Sequence, residues 1–332
     1  MAEKTLALAD AAAGLSTRAL LVAWLDRPTD ELASSTIRRY RGAVAHFLAW
    51  YERVDGRAPT LDDLHPITLA GYRGMLQDGA ATSTVNTHLS ALRAWCAWLH
   101  AQGYLPVDPA RRLKLVGRQD PSAPRALRPA QVNALLRQTQ RTRNPRRNAA
   151  IVQVLLQTGM RIGECAALWW DDITYGERHG QVRIRAGKGN KARSVPLNES
   201  ARQALADYAA PFLGTEPTLK ATAVAWPRAS GRGAALWTSE RGCALSVREM
   251  GRMVQGLVRD CAARSLLPAD ATPHSLRHTF ATRYLIAHPA DLVGLARVLG
   301  HSSLDTTRIY VQPSEEELAA RVDRIDLNAY AR

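Results

Sequence analysis

The sequence has no apolar run that approaches the roughly 20 residues needed for a membrane-spanning helix. Its first twenty residues hold only Lys4 and Arg18 as basic groups, and the alanines at 11–13 lead into no small-residue cleavage site, so no secretory leader is expected. Cysteine is scarce too. The four cysteines, at 96, 165, 243 and 261, lie far apart, with none of the close spacings of a zinc site or a redox pair. Cys96, Cys165 and Cys261 fall in apolar stretches of helical character, where a free thiol behaves as a small core hydrophobe. These absences describe a soluble, cytoplasmic protein without disulfides or structural zinc. Acidic side chains are the last deficit, 30 Asp and Glu against 44 Lys and Arg, a net charge of +14. Residues 1–120 hold 14 basic and 12 acidic groups, whereas residues 121–332 hold 30 and 18, so the excess sits in the C-terminal part. Such an excess suits a polyanion, most simply nucleic acid, because phosphates neutralised by Lys and Arg release condensed counterions.

What is present reads as two domains, mainly α with a small β-hairpin. From Thr17 the chain alternates helical periods with polar breaks. Ser35 is placed to cap a helix whose apolar positions Tyr40, Val44, Phe47, Leu48 and Tyr51 repeat every 3.6 residues, with Arg38, Arg39 and Arg41 on its other face. A further helix begins near Ile67 after Pro66. Another runs from about Thr84 to Ala101 with Val85, Leu89, Leu92, Trp95 and Leu99 on one stripe and Gly103 just past its end. A basic, proline-punctuated stretch from Asp108 to Arg128 separates this bundle from the rest, and places the boundary between domains 1–120 and 121–332. The second domain opens with helices from about Pro129 and from Asn148 to Thr158, stopped by Gly159. An apolar helical turn is expected at Ala166–Trp170. Alternation of Val182 and Ile184 with Arg183 and Arg185, a Gly-rich turn and then Ser194-Val195-Pro196 predict a β-hairpin. Residues 211–243, with scattered Gly, Pro and Trp, read as a longer loop.

The residues able to do chemistry follow in order: Arg161 after a glycine turn, Lys188 at the hairpin tip, His274 and Arg277 in His274-Ser275-Leu276-Arg277-His278, then His301 and Tyr310. Singly each has a bland reading as a surface cation, a solvated turn lysine or a core aromatic. Together they fit phosphoryl transfer. Guanidinium forks bind non-bridging phosphate oxygens bidentately, so Arg161 and Arg277 suit one phosphate. Histidine donates to the same oxygens or carries a proton near neutral pH. Tyrosine serves as a covalent nucleophile once its proton is accepted, and lysine protonates a departing oxygen. No acidic cluster accompanies these residues, so a two-metal mechanism has no obvious ligands and neither metal nor cofactor is expected.

The segments T-G-M-R-I-G-E at 158–164, G-K-G-N-K-A-R at 187–193, H-S-L-R-H-T-F-A-T at 274–282 and L-G-H-S-S-L-D-T-T-R-I-Y at 299–310 resemble the tyrosine recombinase (phage integrase) family, and most its Xer-type members. The N-terminal bundle resembles the family's SAM-like core-binding domain, so the likeness spans essentially the whole chain. It implies a two-domain clamp on duplex DNA carrying inverted-repeat core sites. It implies also that Arg161 and Arg277 bind phosphate, Lys188 protonates the leaving group, with Lys191 as its alternative, His274 accepts the tyrosine proton, His301 is a second donor to the phosphate and Tyr310 is the nucleophile. Glu164 matches a supporting acidic position, and His278 a motif position of structural character. The resemblance implies strand exchange through a 3′-phosphotyrosyl bond and a Holliday junction, carried out by a tetramer, with integration, excision and resolution of a mobile element or replicon all open as outcomes.

At the end of the chain, Ser314 followed by Glu315, Glu316 and Glu317 is a good helix start, and Leu318, Val322 and Ile325 form an apolar stripe. The family likeness suggests that this helix docks into a neighbouring protomer, the alternative being that it packs on its own domain. Core-binding-like helices begin within about the first twenty residues, which suits a simple recombinase of short core sites over one with an additional arm-binding domain. Whether a partner recombinase or accessory protein takes part stays open. Two rival readings remain: a type IB topoisomerase-like relaxer, distinguished by supercoil relaxation without site dependence, and a non-catalytic accessory DNA-binding protein, whose sign would be a broken motif set.

Overall fold

The computed structural model describes residues 16–26, 34–117, 126–185, 192–231 and 233–301. The chain divides into two compact units, Met1–Pro121 and Ser122–Arg332.

In the N-terminal unit the described helices are α1 (Thr17–Asp26), α2 (Ser34–Asp55), α3 (Pro66–Gln77) and α4 (Thr82–Ala101). The second begins one residue ahead of the expected Ser35, and the third places Pro66 at its first turn, where a missing N–H costs nothing. Packing of α1 and α4 on α2, and of α3 on α4, buries Trp24, Phe47, Tyr72, Leu89 and Trp95. The whole expected stripe of α4, Val85, Leu89, Leu92, Trp95 and Leu99, lies inside. Gly103, at φ +81°, ends α4 with its N–H on the His100 carbonyl (3.0 Å), while the Tyr104 N–H reaches the Leu99 carbonyl (2.9 Å). One polar chain crosses this interior: the Tyr72 hydroxyl lies 2.7 Å from Nδ1 of His46 and 2.7 Å from Nδ1 of His88. Burial, with the charge of His46, holds His88 below the ordinary imidazole range.

The second unit contains α5 (Pro129–Thr139), α6 (Pro145–Thr158), α7 (Ile162–Ala166), strands β1 (Ile173–Tyr175), β2 (Gly180–Ile184) and β3 (Arg193–Pro196), then α8 (Glu199–Leu213), α9 (Leu219–Ala225), α10 (Val247–Ala262), α11 (Pro273–Ala287) and α12 (Leu292–Leu299). Its core forms where α6 packs on α8 and α11, and α5 on α10. Helix α10 is closed at its start by a reciprocal cap. Ser246 Oγ accepts the Glu249 N–H (3.2 Å), and Glu249 Oε2 accepts the Ser246 N–H (2.9 Å).

The hairpin expected from the alternation at 182–196 is the antiparallel β2–β3 pair, joined on its other edge by β1 in the order β1-β2-β3. Val182 pairs with Ile173 on one side and Val195 on the other, which buries one face and leaves Arg183 on the other. Two expectations need correction. The helical turn read at Ala166–Trp170 lies one turn earlier, as α7, and Trp170 instead opens a short 3-10 turn to Asp172. The stretch 211–243 is not wholly loop, because α8 continues through Pro211 to Leu213 and α9 follows.

Candidate active site

Three consecutive devices carry Arg161 into place. Helix α6 stops at Gly159, whose φ of +61° is a left-handed C-cap. A Cβ there would lie 2.4 Å from Phe280 Cδ1 and 2.7 Å from Leu299 Cδ2, so only glycine lets α11 and α12 approach this turn. Two residues on, Arg161 is the N-cap of α7. An arginine offers no acceptor for the first helical N–H groups; the cap contact is instead made by Glu164, whose Oε2 accepts the Arg161 N–H (2.8 Å).

Glu164 also accepts Arg161 Nη1 on Oε1 (3.0 Å) and both terminal nitrogens of Arg193, Nη1 on Oε1 (3.0 Å) and Nη2 on Oε2 (2.8 Å). Burial raises the carboxyl pKa, but the Arg193 hydrogen bonds, the Arg161 N–H and the charges of both arginines outweigh it and hold Glu164 below the usual range. It is therefore ionised.

Arg277 comes from α11 and is only 4% exposed. Its Nη1 donates to the Gly159 carbonyl (2.7 Å) and its Nη2 to the Leu299 carbonyl (2.8 Å) and to His301 Nε2 (2.9 Å). These three partners are neutral acceptors, so they orient the guanidinium without cancelling its charge. Because an arginine only donates, His301 Nε2 must be the acceptor, and in the neutral ring the proton sits on Nδ1. His301 follows the left-handed C-cap Gly300 of α12, at φ +67°. Burial, then Arg277, Arg161, Arg193 and His278, push its pKa down to about 4.

His274 stands in the first turn of α11, after Pro273. Burial and the charges of Arg277 and Arg161 lower its pKa. His278 lies one turn further, its ring tilted 34° to that of His274 with centroids 6.4 Å apart, and burial together with His274 and Arg277 brings its pKa down to about 4. The structure thus gathers Arg161, Glu164, His274, Arg277, His278 and His301 into one neighbourhood. Lys188, Lys191, Tyr310 and the 314–332 segment lie outside the described residues.

An open cleft of about 600 Å³ borders this neighbourhood, with Arg161, Glu164 and His274 on its lining. Trp169, Asp172, Arg183 and Arg185 also line it, and sequence reading had not singled them out as site residues. Asp172 is buried, accepts the Trp169 N–H (2.9 Å) and forms an ion pair with Arg185 (Nη2 to Oδ2, 2.8 Å), while the Arg185 guanidinium lies 4.7 Å from the centre of the Trp169 ring. Arg193 was likewise missed, although it ends the quoted hairpin segment. The available signal for Arg183 and Arg185 was their alternation with buried Val182 and Ile184, which places Arg183 on the open face of β2 and leaves Arg185 exposed just past its end.

Comparisons with known proteins bear on this geometry. Residues 125–317 match the Phage integrase family, and residues 27–103 match the Phage integrase, N-terminal SAM-like domain. The chain is similar to tyrosine recombinase XerC of Rhodospirillum centenum, with 32% identity over 305 residues covering 89% of this chain and 82% of the relative. It is 30% identical over 301 residues to tyrosine recombinase XerD of Ralstonia nicotianae, covering 89% and 88%. Among solved structures, the Tn1549 transposon integrase in complex with a circular intermediate DNA shares the fold at a TM-score of 0.70, with 20% identity over 94% of this chain and 100% of that one. XerH site-specific recombinase bound to palindromic difH substrate, in its post-cleavage complex, gives 0.67 at 20% identity, covering 87% and 79%.

Proposed function

The chain belongs to the Phage integrase family as a tyrosine site-specific recombinase, and from that premise we propose that it breaks and rejoins duplex DNA through Tyr310. One observation carries the residue assignments. Two arginines and two histidines, from the α6–α7 turn, from α11 and from the end of α12, converge beside an open cleft.

In this reading the scissile phosphate sits against Arg161 and Arg277, whose donors follow the charge that grows on its non-bridging oxygens. The Tyr310 hydroxyl gives its proton to His274, which desolvation and then the neighbouring cations keep neutral and so able to accept it. The phenolic oxygen then bonds to phosphorus as the bond to the 5′-oxygen breaks. Lys188 protonates that oxygen, leaving a 5′-hydroxyl and a 3′-phosphotyrosyl link. His301, with its proton on Nδ1, is an additional donor, and Glu164 holds Arg161. Reversal by a 5′-hydroxyl from a second duplex completes strand exchange, with one phosphodiester made for each one broken and no external energy source. Residues 1–120 supply the second grip on a core site. Four protomers act on two inverted-repeat sites, joined through the apolar stripe of residues 314–332, in the cytoplasm where the DNA is.

The test starts with duplexes selected from a random pool for binding by the full-length protein, then rebuilt with a nick close to the cleavage position so that the released fragment diffuses away. Run in EDTA on a denaturing gel, the wild type should give a slow protein–DNA band that Tyr310→Phe does not form. Binding without any adduct would leave either an accessory DNA-binding protein or a recombinase that needs a partner, and would remove the assignment of a self-sufficient enzyme.

A further inference from the structure

Arg193 is the first residue of β3 and only about 10% of its side chain is exposed. Its guanidinium meets three parts of the second unit at once. Two nitrogens bind the Glu164 carboxylate in a bidentate fork at 3.0 and 2.8 Å, and through that same carboxylate they share both oxygens with Arg161. The third nitrogen, Nε, donates to the Val298 carbonyl at the end of α12 (2.9 Å). The side chain then passes so close beneath Gly300 that a Cβ there would stand 2.8 Å from Nη1, 2.9 Å from Cζ and 3.0 Å from Cδ. In sequence, Arg193 closes the segment that carries Lys188, and Gly300 and His301 open the segment that carries Tyr310.

We propose that Arg193 is a positioning residue that locks the Arg161–Glu164 pair to the Gly300–His301 turn. It thereby sets the bases of the Lys188 and Tyr310 segments at a fixed distance from the phosphate-binding arginines. The function requires the fork as well as the charge. A lysine ammonium cannot span both carboxylate oxygens and still reach the Val298 carbonyl, because its three donors radiate from one point, whereas the guanidinium holds five in a plane. The proposal assigns Gly300 a second reason to be glycine beyond its left-handed φ, namely clearance for the Arg193 guanidinium. It rests on the recombinase reading only where catalysis is the readout.

The experiment is a double-mutant cycle in the full-length protein with Arg193→Ala, Gly300→Ala and the pair, and Arg193→Lys beside it. Each is read three ways: single-turnover adduct formation on the nicked duplex at saturating protein, affinity for the intact duplex, and thermal midpoint without DNA. Arg193→Ala should slow adduct formation by about a hundredfold, on the scale of losing one transition-state donor, while the affinity for the intact duplex changes less than threefold. Arg193→Lys should be nearly as slow, and free guanidinium ion should recover at least tenfold in Arg193→Ala and nothing in Arg193→Lys. Gly300→Ala should be severe alone yet cost clearly less once Arg193 is already alanine, since the φ strain is common to both backgrounds and only the clash is removed. Additive effects of the two substitutions, or a wild-type adduct rate in a folded Arg193→Ala protein, would overturn the proposal. So would an equal loss of binding and adduct formation without guanidinium rescue, which is what mere structural damage gives. Should the wild type form no adduct at all, the recombinase reading fails by itself. The cycle in thermal midpoints then decides the lock, coupling supporting it and additivity ending it.

Discussion

At the level of single side chains, His274, His278 and His301 share one condition: each feels the charge of Arg277 and titrates below the ordinary imidazole value of 6.5. The unfolded chain therefore binds protons that the folded one refuses as pH falls, so the stability these groups lend is whole above 6.5 and drains away as the pH drops toward 4. The denaturation midpoint should fall across that window. Over the same range, adduct formation from free protein and duplex should be flat from pH 8 to 6.5 and decline only below it, because His274 is already neutral. A pH–rate profile whose acidic limb lay at 7.5 would remove His274 as the proton acceptor. Much of this neighbourhood was legible as letters in order, since Arg161, His274, Arg277 and His301 sit in recognisable segments. What the order did not reveal is that Arg277 hands its Nη2 to His301 and thereby fixes the ring's tautomer. Arg193 was opaque for a related reason. Its partners Glu164 and Val298 are 29 and 105 residues away, and only folding makes them neighbours.

At the level of elements, the two glycines that end α6 and α8 make a controlled comparison. Gly159 (φ +61°) and Gly214 (φ +62°) share a left-handed conformation, but a Cβ at 159 strikes Phe280 and Leu299 whereas at 214 it meets nothing within 4 Å. Gly214→Ala should cost about 1–2 kcal/mol, the left-handed penalty alone. Gly159→Ala adds overpacking against two helices and should cost roughly 2–5 kcal/mol. Urea denaturation of both variants checks the difference, and equal costs would mean that the crowding around Gly159 relaxes freely. Helices α2 and α4 were readable because their apolar residues recur over about three to four turns, from Tyr40 to Tyr51 and from Val85 to Leu99. The shortest elements were not: β1 has three residues, too few for alternation to register, and α7 is preceded by an N-cap arginine whose cap contact is made by a side chain three residues later. The end of α8 and the whole of α9 were hidden by composition, since Pro211 and the nearby glycines and tryptophans read as loop although Pro211 lies inside the helix.

At the level of the whole molecule, charge is divided unequally, with the positive excess concentrated beyond residue 120. In our proposal that distribution accords with a second unit that holds a phosphate during chemistry and an N-terminal unit that only grips. Joining protomers falls to a different part of the chain in our proposal, the stripe of Leu318, Val322 and Ile325. Removing residues 314–332 should therefore abolish assembly of four protomers on two duplexes while sparing binding to one. Unchanged assembly by the shortened protein, followed by gel shift or light scattering, would send the stripe back to packing on its own domain.

The His46–Tyr72–His88 chain in the N-terminal bundle carries a consequence of its own. A hydroxyl has one hydrogen, yet here it meets two Nδ1 atoms at the same 2.7 Å. It donates to one ring and accepts from the other, so when both rings are neutral they must be opposite tautomers, one protonated on Nδ1 and the other on Nε2. The two assignments are mirror images in hydrogen-bond direction, and exchanging them requires that both rings and the hydroxyl change together. The three helices α2, α3 and α4 are thus stitched by a contact that is chemically asymmetric across two equal distances, a two-state element with no moving heavy atom.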